Sequence, residues 1–407
     1  MSTRIVHASQ FRQHPFWFRM LNGVWGSLKS RQAIDGDRLI KRAKKKTRLS
    51  DFGEDNWSEP FFTLIDSINK EANLHPIGVF ITKERLVNIL CNRLLAEYWF
   101  QKQPEILEQE TYPVWLIAGL QRTGTTKLQR LLDKDPDNRV LKSWEALNPS
   151  PTFSKSNPRD RVKKARLAEK SLQLMSPGYF AIHPVEHLEP EEDVLLLDLT
   201  FSSTTAEATM HVPSYADYIE KNNQQYAYDY LAKTLKLLQW QHPGKRWVLK
   251  SPHHLEFLKE ARSAFKDLTV LWPHRQIDEC LPSFLSMVAY SRSLFSDEVH
   301  VEEVTNHWKR KTIRMLEKGI DYRKDNEDLF LDIQFNELVN GAIYKLQRIY
   351  QKGGVTLGAD QLAIFRKVES KNVREKYGRH AYQAEDFGLN KEIIDLEYGF
   401  YYEYFSK

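Results

Sequence analysis

Apolar residues in the amino-terminal part of the chain recur at the spacing of an α-helix. They fall on one face in two stretches, at Phe61, Leu64, Ile65, Ile68 and Ala72 and at Leu86, Leu90, Leu94 and Tyr98. No strand pattern and no catalytic constellation stands out in this part. We therefore predict a helical cap or arm over residues 1–110 and a different kind of unit over residues 111–407.

The pattern changes at Val114. The run "VWLIAG" is short and apolar and ends in glycine, and a helical face with Leu128, Leu131 and Leu132 follows directly. A second unit has a strand at 246–250, a helix and a strand at 268–272, and a further strand is predicted at 328–335. Strands that alternate with helices through short links form parallel sheets. We predict an α/β fold, with a P-loop-like parallel sheet flanked by helices and a helical amino-terminal region.

Composition and charge narrow the class of protein. The 407 residues have the make-up of a soluble globular protein, and a net charge of +5 is too small to indicate nucleic-acid binding. Cys91 and Cys280, the two cysteines, supply neither a disulfide framework nor a zinc–thiolate site. Without a signal-peptide core or an apolar stretch of membrane-spanning length, we expect a cytoplasmic protein with no integral membrane segment. The amphipathic stretch "HPFWFRMLNGVW" could lie on a membrane or a partner chain, and we expect it to pack on its own domain.

The stretch "AGLQRTGTTKLQRLL" nearly matches a nucleotide-binding P-loop. Its two glycines have the required spacing, but Thr125 stands where the template has lysine. A strand–loop–helix binds phosphate-like anions through backbone N–H groups and the helix dipole, and the hydroxyls of Thr123, Thr125 and Thr126 can add hydrogen bonds. The cation, Arg122, comes before the second glycine, and the strand "LTVLW" ends in basic "PHR" where an NTPase tends to be acidic. A glycine turn without a ligand is the plain alternative.

At this point the chain resembles the PAPS-dependent sulfotransferases, whose donor is 3′-phosphoadenosine 5′-phosphosulfate (PAPS), in particular the bacterial-type branch with a helical amino-terminal region. In that family a [K/R]-[S/T]-G-T-T loop after the first strand wraps the 5′-phosphosulfate. The matching residues are Arg122, Thr123, Gly124, Thr125 and Thr126, and Lys127 follows them in the expected donor-binding set. The family clamps the 3′-phosphate with an arginine at a strand end and a serine eight residues later, and Arg275 and Ser283 have that spacing.

The resemblance covers residues 115–335 well and implies a function. A sulfuryl group would move from PAPS to a hydroxyl or amine of a small-molecule or lipid-like acceptor, with adenosine 3′,5′-bisphosphate as product. A donor without a triphosphate needs neither the P-loop lysine nor Mg²⁺, so no metal is expected. A P-loop nucleotide kinase or NTPase, and a non-catalytic nucleotide-binding module, remain as alternatives.

Three side chains are candidates for the transfer chemistry. Lys250 in "LKSP" lies at the carboxyl end of a predicted strand, the edge at which ligands bind in open parallel sheets. Glu145 in "SWEALNP" follows the loop helix at about the distance at which several family members place a catalytic glutamate, and we choose it as the base. Other branches use histidine, which makes His183 the reserve candidate. His183 also begins an H-x-x-E-H pattern found in zinc enzymes, but Pro184 directly after it argues against a helical metal site.

The remaining candidates concern the donor and acceptor pockets. The late segment "KYGRHAYQAEDFG" resembles in place the basic loop with which sulfotransferases close over the donor, so Arg379 and His380 are candidate donor contacts. An apolar acceptor pocket is indicated by aromatic residues that equally suit a core: Trp144, Phe153, Tyr179 and Phe180. For His253 and His254 we prefer packing over a role in that pocket.

Overall fold

A sheet of five parallel strands forms the centre of the protein. The structure, a computed structural model, describes residues 5–28, 33–152, 157–369 and 379–405. Its strands are β1 Ile5–His7, β2 Val114–Ile117, β3 Asn138–Val140, β4 Arg246–Lys250, β5 Leu268–His274, β6 Phe330–Gln334 and β7 Arg379–Ala381. The central sheet has the order β3-β4-β2-β5-β6, and each of its pairings is parallel. The predicted α/β fold is confirmed.

Strand pairing explains the short apolar runs in the sequence. Leu116 of β2 lies opposite Leu249 of β4 and Val270 of β5. These three residues belong to one hydrophobic core, whereas Ile117, the next residue of β2, belongs to a second core on the other face of the sheet. A parallel strand that helices cover on both faces is apolar throughout instead of alternating.

Helices surround the sheet and form most of the amino-terminal region. They are α1 Phe16–Leu28, α2 Gly36–Thr47, α3 Ser58–Glu71, α4 Pro76–Lys102, α5 Glu105–Glu108, α6 Thr125–Leu132, α7 Ser143–Leu147, α8 Arg159–Met175, α9 Pro177–Ile182, α10 Val194–Leu197, α11 Thr205–Thr209, α12 Pro213–Lys221, α13 Gln225–Gln241, α14 Leu258–Ala264, α15 Ile277–Ser293, α16 Val301–Lys324, α17 Phe335–Asn340, α18 Ala342–Lys352, α19 Ala359–Glu369 and α20 Lys391–Phe405. Among the described residues, none of these helices combines the length and apolar character needed to cross a bilayer.

The amino-terminal region joins the same core as the sheet. Its predicted helical faces are buried, with Phe61, Leu90 and Leu94 fully enclosed. The strand β1 was not predicted, because three residues are too short to show an alternating pattern. It pairs in parallel with β7, near the other end of the chain. Val6 of β1 packs in the hydrophobic core that contains Leu116, so the arm and the sheet are stabilised together.

Lys311 of α16 lies at the centre of a buried ionic cluster. Its Nζ is 2.8 Å from Glu256 Oε2, 3.0 Å from Glu220 Oε1 and 3.5 Å from Glu207 Oε1. Although burial opposes the charge, the surrounding glutamates raise the pKa of Lys311, so the ammonium group stays protonated. The cluster ties α16 to α11, to α12 and to the turn that follows β4.

Replacing Lys311 with methionine should destabilise the protein strongly. Lys311→Met removes the one ammonium group that three carboxylates share. Because Arg314, Arg310 and His307 remain beside them, we expect the free energy of unfolding to fall by about 3 kcal/mol, at the lower end for a broken buried ion pair. Urea denaturation measures this loss. The matched control is Lys324→Met at the exposed pair with Asp321, which should leave the unfolding free energy close to that of the wild type. Equal stability of the two variants would contradict the prediction.

Candidate active site

The loop between β2 and α6 turns sharply at the carboxyl edge of the sheet. Arg122 and Gly124 have φ angles of 69° and 92°, in the left-handed region. A Cβ on Gly119 would lie 2.8 Å from the carbonyl oxygen of Pro273, so the loop passes too close to β5 for a side chain there. Gly124 brings no side-chain cap to α6, which leaves the start of that helix suited to an anion.

The threonines of the loop face different surroundings. Thr123 Oγ1 donates to the carbonyl oxygen of Leu120 at 2.6 Å, so its proton stabilises the turn instead of serving a ligand. On the first turn of α6, Thr125 is buried, Thr126 is exposed and Lys127 is half-buried. The hydroxyl group of Thr126 is therefore the most accessible of the three.

The two motifs that we expect to bind the donor meet in the structure. Arg275 Nη1 donates to the carbonyl oxygen of Arg122 at 3.0 Å, and Arg122 Nε donates to Ser283 Oγ at 3.1 Å. The guanidinium of Arg275 also lies 4.3 Å from the ring centre of Phe335 and 2.8 Å from Glu279 Oε2. Burial, together with the charge of Arg275, lowers the pKa of Arg122. Residues more than 150 positions apart thus form one basic corner beside a cleft of about 190 Å³.

Lys250 lies at the carboxyl end of β4, as predicted, and is almost fully buried. Its Nζ is 2.7 Å from Glu192 Oε1, and its backbone N–H donates to Asp193 Oδ1 at 2.8 Å. The other Asp193 oxygen is 2.8 Å from His254 Nε2, and His254 Nδ1 is 2.8 Å from the hydroxyl group of Tyr228. This chain of hydrogen bonds holds Glu192 and Asp193 against Lys250.

The sequence analysis did not assign Glu192 or Asp193 to the site. The acidic run "EPEED" was their signal, but it also fits the start of a helix, and α10 does begin one residue after Asp193. His254 and its neighbour His253 are fully buried, in agreement with the packing interpretation.

His183 lies in the same place as Lys250 and the loop. It ends α9, and Arg122 Nη1 donates to the carbonyl oxygen of the preceding residue, Ile182, at 3.4 Å. Burial and then the positive charges of Lys250, Arg122 and Arg130 lower the pKa of His183 to about 3. Its imidazole is therefore neutral near pH 7.

Glu145 is engaged elsewhere. Its two carboxylate oxygens lie 2.5 and 3.0 Å from the guanidinium nitrogens of Arg139, and the backbone N–H of Lys142 donates to the same group at 3.1 Å. The side chain is 2% exposed. A carboxylate held in this way caps α7 and neutralises a buried arginine, and this occupancy argues against the base role predicted for Glu145.

The H-x-x-E-H pattern does not form a helical metal site. His183 ends its helix, and His187 Nδ1 lies 2.5 Å from Glu169 Oε2 of α8. Within the described parts of the chain, no group of three or more histidine, cysteine or acidic side chains has the arrangement of a metal site.

His380, from the late segment "KYGRHAYQAEDFG", lies near the loop residue Arg122. Its Nε2 is 2.9 Å from Ser286 Oγ of α15, and burial and the charge of Arg122 lower its pKa to about 4. The side chain of Arg379 and all of Phe153 lie outside the described residues. Of the other aromatic candidates, Tyr179 is in ring contact with His183, whereas Trp144 and Phe180 are core residues.

Comparison with known proteins shows the family of this chain. A model of the sulfotransferase family matches residues 113–358. The chain belongs to the sulfotransferase family. Sulfotransferase STF1 from Mycobacterium tuberculosis H37Rv is 27% identical, with a TM-score of 0.77, over 91% of this chain and 99% of that chain. Sulfotransferase STF9 from Mycobacterium avium is 22% identical, with a TM-score of 0.82, over 92% and 97%, and shows the same fold. No curated protein sequence matches the chain.

The resemblance stated from the loop and the Arg275/Ser283 motif is thus confirmed at the level of the family. In this sulfotransferase the matched region contains Arg122, His183, Lys250, Arg275 and Ser283. The strands β1 and β7, with His380, lie outside it, so these parts of the site are known from the structure alone.

His183 should make the sulfotransferase sensitive to acid. Its pKa in the folded protein lies below the ordinary 6.5, so the unfolded chain takes up the proton first and folded-state stability falls as the pH drops from 6.5 towards 3. Between pH 7 and pH 5 the wild type should lose about 2 kcal/mol more unfolding free energy than His183→Gln. Urea denaturation of both proteins at the two pH values measures this difference. An equal loss in both would show that His183 is not held neutral.

Proposed function

We propose that this sulfotransferase moves a sulfuryl group from PAPS to a hydroxyl or amine of a small-molecule or lipid-like acceptor. The observation that carries the proposal is the contact of Arg275 with Arg122 and of Arg122 with Ser283, at 3.0 and 3.1 Å. These contacts join the loop at 122–126, which suits a 5′-phosphosulfate, to Arg275 and Ser283, which suit a 3′-phosphate. PAPS has these two anionic groups on one nucleotide.

The donor would lie along the carboxyl edge of β2 and β5. Its 5′-phosphosulfate would bind the loop residues from Arg122 to Thr126, with Lys127 on the following turn, and its 3′-phosphate would bind Arg275 and Ser283. His380, beside Arg122, would close the donor site from the late segment, together with Arg379. The product that leaves is adenosine 3′,5′-bisphosphate.

The transfer needs charge stabilisation and a proton acceptor. As the acceptor oxygen forms its bond to sulfur, the bond from sulfur to the bridging phosphate oxygen breaks, and the phosphate takes the electron pair. Lys250 and Arg122 stabilise the negative charge that develops on the sulfuryl and phosphate oxygens. We assign the acceptor's proton to His183, which is neutral and lies among these cations. The anionic donor offsets the positive charges that lower the pKa of His183, so the bound donor makes the imidazole more basic.

A P-loop kinase or NTPase remains the second candidate and fits less well. Its P-loop needs the lysine that Thr125 replaces, and its Mg²⁺ needs an acidic strand end, whereas β5 ends in His274 followed by Arg275. Transfer by the groups proposed here should be unaffected by EDTA.

The first test is nucleotide preference. Calorimetry should show that adenosine 3′,5′-bisphosphate binds at least about tenfold more tightly than 5′-AMP, because a charge-assisted contact to the 3′-phosphate is worth about 1.5–3 kcal/mol. Arg275→Ala should remove this preference. Arg275 also hydrogen-bonds to the loop, so Arg275→Ala could weaken the binding of both nucleotides. The decisive quantity is therefore the ratio of the dissociation constants for 5′-AMP and the bisphosphate. A disordered loop would leave this ratio unchanged, whereas loss of the 3′-phosphate contact would lower it.

Arg38→Ala, at an exposed arginine of α2, is the matched control and should keep the wild-type ratio. Equal binding of the two nucleotides by the wild type would remove the clamp assigned to Arg275 and Ser283. Tight binding of ATP with Mg²⁺ instead of the bisphosphate would favour the kinase alternative.

The second test separates the two candidate bases. With an alcohol acceptor, His183→Ala should lower the transfer rate by about 10²–10⁴-fold and change bisphosphate affinity by less than about threefold. Glu145→Gln should weaken the buried pair with Arg139 and lower stability, while the folded fraction keeps its transfer rate. The opposite pattern, with Glu145→Gln inactive and His183→Ala active, would restore the base role predicted for Glu145. An acidic phenol is unsuitable as acceptor, because it ionises without a base.

A further inference from the structure

Helix α1 exposes a continuous apolar face. Five of its large apolar side chains are between 43% and 70% exposed: Phe16, Trp17, Met20, Leu21 and Val24. Their spacing puts them on adjoining positions of the helix surface. Phe18 faces the protein, is buried, and contacts the rings of His14 and His75. The expectation that this segment packs on its own domain is therefore wrong for most of its apolar side chains. Such a patch on a soluble protein marks a binding surface.

The amino-terminal segment that contains this face carries charge of one sign, although Asp297 from elsewhere in the chain lies near His14. Residues 1–34 contain five lysines or arginines and no aspartate or glutamate, so they account for the whole net charge of +5. Arg12 and Arg19 are exposed at the described part of this segment. The rest of the chain is electrically balanced. A basic segment with an exposed apolar helix indicates an anionic partner that also takes up apolar side chains.

Helix α8 also exposes apolar and basic side chains. The imidazole of His14, just before α1, interacts with the backbone of Met175 at the end of α8. The exposed side chains of α8 include one acidic residue, Asp160, and otherwise combine leucine with basic residues: Lys163, Lys164, Arg166, Leu167, Lys170 and Leu174. Two neighbouring helices thus present apolar and basic side chains.

We propose that α1 lies flat on an anionic lipid bilayer, with its apolar face among the acyl chains. Arg19 and the basic residues that flank the helix would then lie at the headgroups. A tryptophan on the apolar face and arginines beside it suit the membrane interface. A second copy of the chain fits less well as the partner, because two α1 segments would bring basic residues against basic residues with no acidic residue on either.

Membrane binding would place the bilayer next to the site. Strand β1, just before α1, pairs with β7, and His380 of β7 lies beside Arg122. A lipid-like acceptor could then reach the site from the membrane surface. The proposal concerns the surface and does not rest on the proposed sulfuryl transfer, since vesicle binding needs neither donor nor acceptor.

Sedimentation with vesicles tests the proposal. The protein should bind vesicles of phosphatidylcholine in which about a third of the lipid is phosphatidylglycerol, and bind vesicles of phosphatidylcholine alone more weakly. The triple variant Phe16→Ser/Met20→Ser/Leu21→Ser should bind the anionic vesicles at least about tenfold more weakly. Arg19→Gln should weaken this binding about fivefold. Leu396→Ser, which removes an 84% exposed leucine from α20, is the matched control and should bind like the wild type.

A second measurement locates the contact without relying on a triple variant. Brominated lipids should quench tryptophan fluorescence in the wild type and quench it less in Trp17→Phe. The proposal fails if the wild type does not bind anionic vesicles, or if the triple variant binds them as well as Leu396→Ser does. It also fails if sedimentation velocity shows a wild-type dimer that the triple variant converts to monomer, since α1 would then be a protein interface.

Discussion

The parallel pairing of β2 with β4 and β5 is the constraint on which the site depends. Parallel strands end at one edge of the sheet, so the loop after β2, Lys250 after β4 and Arg275 after β5 come together although the sequence separates them widely. The strands are buried on both faces, and a shift in register would bury charged residues or expose apolar ones. The same packing that stabilises the sheet therefore positions the cations.

Each cation at this edge already has a counter-group. Glu192 neutralises Lys250, and Ser283 and the carbonyl oxygen of Ile182 accept hydrogen bonds from Arg122. Buried cations would otherwise repel one another and destabilise the fold. An anionic ligand at this edge would compete with these counter-groups for the cations. Burial, and after it the positive charges of these cations, lower the pKa of His183 and keep its imidazole neutral.

The amino-terminal arm has two faces with different roles. One face packs into the common core through Val6 and the buried sides of α3 and α4, and β1 pairs with a strand from the far end of the chain. The other face, on α1, remains apolar and exposed and belongs to a segment without acidic residues. The arm therefore connects the outer surface of the protein to β7, whose His380 lies near Arg122.

The sequence by itself determined the α/β class, four strands of the sheet, the loop at Arg122–Thr126 and the pair Arg275 and Ser283. Each of these features depends on residues that are close together in the sequence, so their periodicity and spacing can be read from it directly. The tertiary structure alone decided which charges meet. It placed the carboxylate of Glu145 on Arg139, brought Glu192 to Lys250 across 58 positions, and put His183 among the cations. It also decided that the apolar face of α1 stays exposed. A carboxylate or an amphipathic helix looks the same in sequence whatever it faces, because its partner is set by the order and packing of distant strands and helices.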